Sequence, residues 1–555
     1  MDLESKQKVN NNVLLQGSIL AAASIIVRII GLIYRIPLTR IVGDEGMGYY
    51  STAFEFYNLA LLLSSYSLPL AVSRLVSARQ IQKRYRDAGQ VFIVGLIFGC
   101  IIGSIASVLV YCGADVYARF NDSPLVAIPL RVLAPTIFVF SVMGVVRGFF
   151  QGYNNMIPTA LSQIIEQIVN AVVSISVAIF MMKKYAGTPE QSAYGAAGGT
   201  WGTFLGACAA AVTLVVILAV ENKRFASDMK DNQDKPRESS WLILKALIIT
   251  VIPVVVSQTV YQLSGTIDVS IFHRIMSSKN VDLETRNIWW GIYSSKYRLL
   301  TNVPVAIASA MGTAIVPSLV AEMARGTKES IKTKIASAIK FNMVIAFPCA
   351  FGFMALGGPI LQMLYKDFRG LSEMMMTIGG IAVVFFALST VTNGVLQGIG
   401  HMQIPVLHSV IALVVHCIVL DILLRFTDLD AIALVLCNIL FALIVCILNG
   451  RSIHRLLDYR QECNTTFIIP LISAAIMGAF AHFGYEFLYW ILSKALPAHR
   501  MVNISASCLI TIVLSGIVYF ALLIRLKGVS EEELLGMPKG RILVSILRKM
   551  RLLRD

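Results

Sequence analysis

The sequence predicts an all-α polytopic membrane protein with about 14 transmembrane helices: two six-helix lobes around a central cleft, then two further C-terminal helices. Three observations carry this. Runs of about 20 apolar residues, long enough to cross a hydrocarbon layer roughly 30 Å thick, recur along the whole chain of 555 residues. Charged residues make up 14% of it and apolar residues 56%, with a mean hydropathy of +0.73, whereas soluble domains carry about 25% charged residues. Third, short motifs of the first six runs return in the same order in the next six.

The runs fall near 14–36, 49–76, 91–112, 125–150, 157–182 and 195–220, the first lobe (1–220). A polar linker over 221–240 leads to runs near 241–274, 291–321, 341–364, 376–398, 404–424 and 430–449, the second lobe (241–449). Two more, near 466–490 and 502–525, lie within 450–526, and 527–555 forms a tail. No A-x-A-like site follows the first run, so it is expected to stay as a span. The linker is too short for a catalytic domain, and no G-x-x-x-x-G-K-[ST] loop occurs to hydrolyse a nucleotide. The nine cysteines lie mostly inside apolar runs without a C-x-x-C pair, as small packing residues do. Pro37, Pro69, Pro135, Pro253, Pro304, Pro317 and Pro348 lie in or at the ends of spans as candidate hinges. Gly195–Gly206 is rich enough in glycine for close helix packing.

With the N-terminus inside, the tails and even-numbered connections hold about 27 Lys and Arg and the odd-numbered ones about 12. This asymmetry places both termini in the cytoplasm and accounts for the net charge of +15 without nucleic acid. In the tail, Ser530 and Glu533 have capping-box spacing. Beyond Pro538, Ile542, Leu543, Ile546, Leu547, Met550 and Leu553 share one helical face, and Arg541, Arg548, Lys549, Arg551 and Arg554 fill much of the rest. Such a helix is expected to lie on the anionic inner leaflet; docking on a partner is the alternative.

The two lobes resemble each other. Gly148, Gln151, Gly152 and Met156 return as Gly394, Gln397, Gly398 and Met402 at a shift of 246, with one residue inserted before the proline (Pro158, Pro405). Leu68-Pro69-Leu70-Ala71 returns as Val303-Pro304-Val305-Ala306. Ser24, Arg28, Gly31 and Arg35 form one helical stripe, and Ser257, Tyr261, Ser264 and Asp268 repeat its steps in the seventh span. Two such lobes would set these stripes across a cleft, where repeat-built transporters bind substrate.

On these residues, together with Arg28-Ile-Ile-Gly31-Leu-Ile-Tyr-Arg35-Ile-Pro37, Arg40-Ile-Val-Gly43 and Gly312-Thr313-Ala-Ile-Val-Pro317-Ser318-Leu319, the chain resembles the multidrug/oligosaccharidyl-lipid/polysaccharide (MOP) flippase superfamily. The resemblance covers nearly the whole chain. It is nearest to the polysaccharide-biosynthesis branch, which includes the stage V sporulation protein B group and the MurJ lipid II flippases. It implies a MATE/MurJ-like fold and alternating access in a bacterial cytoplasmic membrane. The implied substrate is a lipid-linked glycan, with lipid II first and another undecaprenyl-linked glycan next.

Intramembrane charges extend this reading, because each costs at least about 2.5–3.5 kcal/mol on insertion scales. Arg28 and Arg35 are about 10 Å apart along one helix face and suit a diphosphate, which two guanidinium forks engage bidentately; an internal pair such as Arg35 with Glu55 is the alternative. Arg74 near the inner face and Lys296 and Arg298 near the outer face complete the candidate anion site, although snorkelling also explains the last two. Arg298 falls where the resemblance implies an Asp-Arg pair, but Tyr297 precedes it here. Glu55, Glu166 and Asp268 are candidates for ion pairing or for coupling to Na⁺ or H⁺, since a desolvated carboxyl takes up a proton readily. His408 and His416 share a face but have no Cys or carboxylate ligands nearby, which argues against a metal. No cofactor is expected, and a monomer is. The competing functions are a cation-coupled multidrug exporter, which would want twelve spans and an acidic cavity, and an integral-membrane enzyme on lipid-linked sugars, which would want clustered Asp, Glu or His at a membrane face.

Overall fold

The computed structural model describes residues 3–230, 238–325 and 328–529. The amphipathic tail predicted beyond Pro538 and the middle of the 221–240 linker lie outside the described residues. All regular elements among the described residues are helices. Contacts divide the chain into two compact units, Met1–Ser295 and Lys296–Asp555.

The first unit holds α1 (Leu3–Leu61), α2 (Leu68–Ile81), α3 (Tyr85–Phe120), α4 (Ala127–Gly152), α5 (Ile157–Lys184), α6 (Gln191–Lys230), α7 (Ser240–Ser278) and α8 (Leu283–Ile292). At 59 residues, α1 would be about 88 Å long if straight, far longer than a bilayer is thick. It is broken at Gly43 (φ 76°, ψ 170°), a conformation that glycine adopts without steric penalty. Gly43 lies between the spans predicted at 14–36 and 49–76. A π-helical turn, Leu62–Tyr66, then joins α1 to α2. The end of the linker is tied to this unit: Glu238 accepts two hydrogen bonds from Arg79, at 2.8 Å each, and its N–H donates to Asp87.

Another π-helical turn, Tyr293–Arg298, spans the boundary along the chain, and the second unit continues with α9 (Leu299–Arg325), α10 (Lys328–Tyr365), α11 (Gly370–Gly379), α12 (Ala382–Gly398), α13 (Gln403–Phe426), α14 (Ala431–Leu457), α15 (Ile469–Ala495) and α16 (Arg500–Arg525). Its core runs through Leu319, Met343, Val383, Leu396 and Tyr519.

Ten helical segments among the described residues are long and apolar enough to cross a membrane, or eleven if the pair α11–α12, bent by 42°, is one span. The difference from the expected fourteen has identifiable places. The first two predicted spans run through one segment, Ser18–Ile81, and the tenth corresponds to the bent pair. The seventh and eighth lie in α7 and α9, whose side chains are described only in part.

The internal correspondence at a shift of 246 has a structural counterpart. The Tyr153 N–H donates to Phe149 O and the Asn155 N–H to Phe150 O; 246 residues on, Ile399 donates to Val395 and His401 to Leu396. Asn154 (φ 55°) and Gly400 (φ 87°) occupy the same left-handed position, the helix-ending turn that satisfies the last carbonyls. Of three π-helical turns among the described residues, two precede α2 and α9, which carry Pro69 and Pro304, and the third, Asn464–Ile468, precedes α15, which carries Pro470.

Packing explains why the spans are glycine-rich. On α3, Gly95, Gly99 and Gly103 let α4 approach, and a Cβ on Gly103 would sit 2.7 Å from the Ser141 side chain. On its other face, Ile93, Ile97, Ile101 and Ile105 are more than half exposed, as a lipid-facing stripe must be. Gly198, Gly202 and Gly206 do the same for α6 against α5, in the stretch where close packing was expected.

Candidate functional site

The Arg28–Arg35 stripe packs against α5. At Gly31, in its middle, a Cβ would lie 3.0 Å from Gln167 Nε2. A side chain there would displace the end of the Gln167 side chain. One turn to either side, Arg28 is exposed and Arg35 half-buried. Arg35 and the Tyr34 phenol both lie beside the Tyr50 phenol, and Asn170 on α5 donates to the Tyr34 hydroxyl at 3.4 Å. Ser24 donates within its own helix to Leu20 O.

Next to this seam lies an ion pair between a buried arginine and a half-buried glutamate. Arg147 of α4 is only 8% exposed. Its Nη2 donates to Glu166 Oε2 at 2.8 Å and its Nε to Ser162 Oγ at 3.0 Å, both on α5. Gly206 lacks a Cβ where one would meet Glu166 O at 2.6 Å, so α6 closes over the α5 backbone at this level. Tyr57 of α1 is buried in the field of the Glu166 carboxylate, and its hydroxyl has no hydrogen-bond partner among the described residues.

Glu55 and Asp268 meet another seam of the first unit, between α1 and α7. Gly265 gives the Glu55 carboxylate its room, since a Cβ there would lie 2.0 Å from Oε2. Thr266 Oγ1 donates to Glu55 O at 3.3 Å. Asp268, one turn further along α7, is 4% exposed. Arg35, Glu55 and Asp268 each have interaction partners.

The other expected site residues are placed differently. Arg74 of α2 is exposed and Arg298 half-buried. Lys296 is 3% exposed and forms an ion pair with Asp367, in the α10–α11 connection. Asp367 also accepts from Ser372 Oγ and from the Arg369 N–H. Burial pushes its carboxyl upward, and the Lys296 ammonium with these two donors outweighs that, so the group is held below the ordinary carboxylate range. The Lys296 charge is therefore neutralised where it stands.

His408 and His416 are held by neighbouring helices. His408 Nδ1 pairs with Asn449 Oδ1 at 2.7 Å, and because Asn449 Nδ2 donates to Thr392 and Asn393, the histidine is the donor. His416 Nδ1 lies 2.9 Å from Cys437 O. Among the described residues no group of three or more His, Cys, Asp or Glu is arranged to hold a metal ion.

Arg147 is the residue that the sequence reading did not single out. Its signal was present, an arginine deep in the apolar run 125–150, which also holds Arg131 near its start, and directly before the repeated Gly148. Asp367, the partner of Lys296, lies in a connection whose folding back no local pattern announces.

Residues 13–323 match the family profile described as polysaccharide biosynthesis protein, and residues 253–423 match that described as MatE. Two curated relatives come from Bacillus subtilis (strain 168). The uncharacterized membrane protein YabM is 23% identical over 96% of this chain and 96% of its own length. Lipid II flippase MurJ is 25% identical over 86% of this chain and 89% of its own. Among solved structures, lipid II flippase MurJ in an inward closed conformation superposes with a TM-score of 0.62 at 13% identity, covering 91% of this chain and 99% of that one.

Proposed function

The chain belongs to the polysaccharide biosynthesis protein family of the MOP flippase superfamily, and on that premise we propose that it moves an undecaprenyl-diphosphate-linked glycan, lipid II first, across the bacterial cytoplasmic membrane by alternating access. As a multi-pass membrane transporter of this superfamily it is not an enzyme. The observation that carries the substrate reading is the α1 stripe: two guanidinium groups two turns apart, with Arg28 exposed. The long arginine side chains can converge on a diphosphate from two turns apart, and each charge-assisted contact is about twice as strong as a neutral one. Arg74 extends this positive surface on the first unit, and Arg298 is a separate anion contact on the second. Lys296 positions the α10–α11 connection through Asp367. The amphipathic tail is proposed to rest on the anionic inner leaflet, with both termini cytoplasmic.

Coupling falls to the carboxylates. Protonation of Glu166, or its occupation by Na⁺, would release Arg147 and loosen α4 from α5. Glu55 and Asp268 are placed to answer at the α1–α7 seam. Energy then comes from an ion gradient or the membrane potential.

The test is complementation of a bacterium depleted of its own lipid II flippase, scored by growth and by lipid II in the outer leaflet. The wild type is expected to rescue both, and Arg28→Ala, at matched membrane levels, neither. Rescue by both proteins would keep the cargo and reduce Arg28 to a structural role. Failure of a well-expressed wild type would overturn lipid II as the cargo and point to another polyprenyl-linked glycan, with drug export next.

A further inference from the structure

The second unit contains a cavity of about 250 Å³ that the transport reading leaves unused. Its polar lining comes from Gln362 of α10, Glu373 of α11, His482, Glu486 and Tyr489 of α15, and Arg500 at the start of α16. One full positive charge and two negative ones share this space. Among the described residues they do not pair with one another. Arg500 is steered by the Phe368 ring, 4.6 Å from its Cζ, and Glu373 lies over Gly358, where a Cβ would come within 2.7 Å of its carboxyl carbon.

The place in the fold narrows the ligand. α10 ends at Tyr365, α15 ends at Ala495 and α16 begins at Arg500, so the cavity sits towards one common end of three long apolar helices, at the depth of lipid headgroups. Beside it on α15, Phe483 is 71% exposed, Phe487 61% and Trp490 54%. Lys494 Nζ lies 3.8 Å from the Trp490 ring centroid. Exposed aromatic rings with a lysine at a helix end mark the boundary of a bilayer.

The geometry points to a site for the headgroup of a zwitterionic aminophospholipid, of which phosphatidylethanolamine is the simplest. A purely anionic headgroup would face two carboxylates, and a purely cationic ligand would face the guanidinium. A phosphate and an ammonium a few ångströms apart satisfy both: the phosphate accepts from Arg500, and the ammonium donates to Glu486 and Glu373 with the Tyr489 ring beside it. The acyl chains then run along the exposed face of α15.

The full-length protein in detergent would be given equal amounts of dioleoyl-phosphatidylethanolamine and dioleoyl-phosphatidylglycerol, and the retained lipid read by native mass spectrometry. The wild type is expected to prefer phosphatidylethanolamine about tenfold. Glu486→Gln is expected to abolish most of that preference, Arg500→Gln to lower the retention of both lipids several-fold, and Ile97→Val, on the lipid face of α3, to change neither. Equal retention of the two lipids by the wild type, an unchanged preference in Glu486→Gln, or undiminished lipid retention in Arg500→Gln overturns the proposal. Thermal stabilisation by soluble glycerophosphoethanolamine equal to that by the lipid overturns the membrane source. Should a charge variant fail to fold, the wild-type comparison of the two lipids still decides the matter.

Discussion

Arg147 shows how a single buried charge organises the first unit. Removing one partner of a buried pair leaves an uncompensated charge and costs about 3–5 kcal/mol. Arg147→Ala is therefore expected to lower the melting midpoint in detergent more than Glu166→Gln does. The double variant Arg147→Met/Glu166→Gln should recover part of the loss, because no charge stays buried; additive effects would show that the two do not act as a pair. Asp367 has a pH signature as well. Its folded pKa lies below the ordinary 3.8, so its contribution is complete above that value and is lost as pH falls through the folded one. The stability gap between the wild type and Asp367→Asn should stay constant from about pH 8 to pH 5 and close only below about pH 4.

At the level of elements, small residues decide which helices touch. A Cβ on Gly202 would lie 2.0 Å from Ser174 Oγ and 2.5 Å from Asn170 O, so α5 and α6 have no room to adjust around a larger side chain. Gly202→Leu is expected to reduce the yield of folded protein several-fold in fluorescence-detected size exclusion, whereas Gly516→Leu, where a Cβ would meet nothing within 4 Å, should leave it unchanged. Overpacking costs of about 1–3 kcal/mol or more are large for a helix pair held by close backbone contact. The paired turns at Asn154 and Gly400 follow the same logic. Each ends a helix in the left-handed region and restarts the chain at a proline-bearing helix, which is why the motif recurs at a fixed shift.

For the whole molecule, the distribution of Lys and Arg makes a topological prediction that exposed loop positions can test. Cys463, exposed in the connection before α15, should be shielded from a membrane-impermeant maleimide in intact cells and react after permeabilisation. A cysteine placed at exposed Thr188, between α5 and α6, should react in intact cells, with the remaining cysteines replaced in both variants. The reverse pattern would invert the orientation.

The sequence by itself determined the class of the protein, the extents of most spans, the 246-residue correspondence and the arginine stripe, because span length and residue spacing along a helix are local properties set by bilayer thickness and helical rise. It did not reveal which charges meet. Arg147 and Glu166 are 19 residues apart, and Lys296 and Asp367 are 71 apart. Whether such groups pair depends on how separate helices pack, and several arrangements share the same hydropathy. Only the tertiary structure decided that Lys296 is neutralised by Asp367 and that Glu166 is held by Arg147. Burial makes an unpaired charge so costly that helix packing selects its partner.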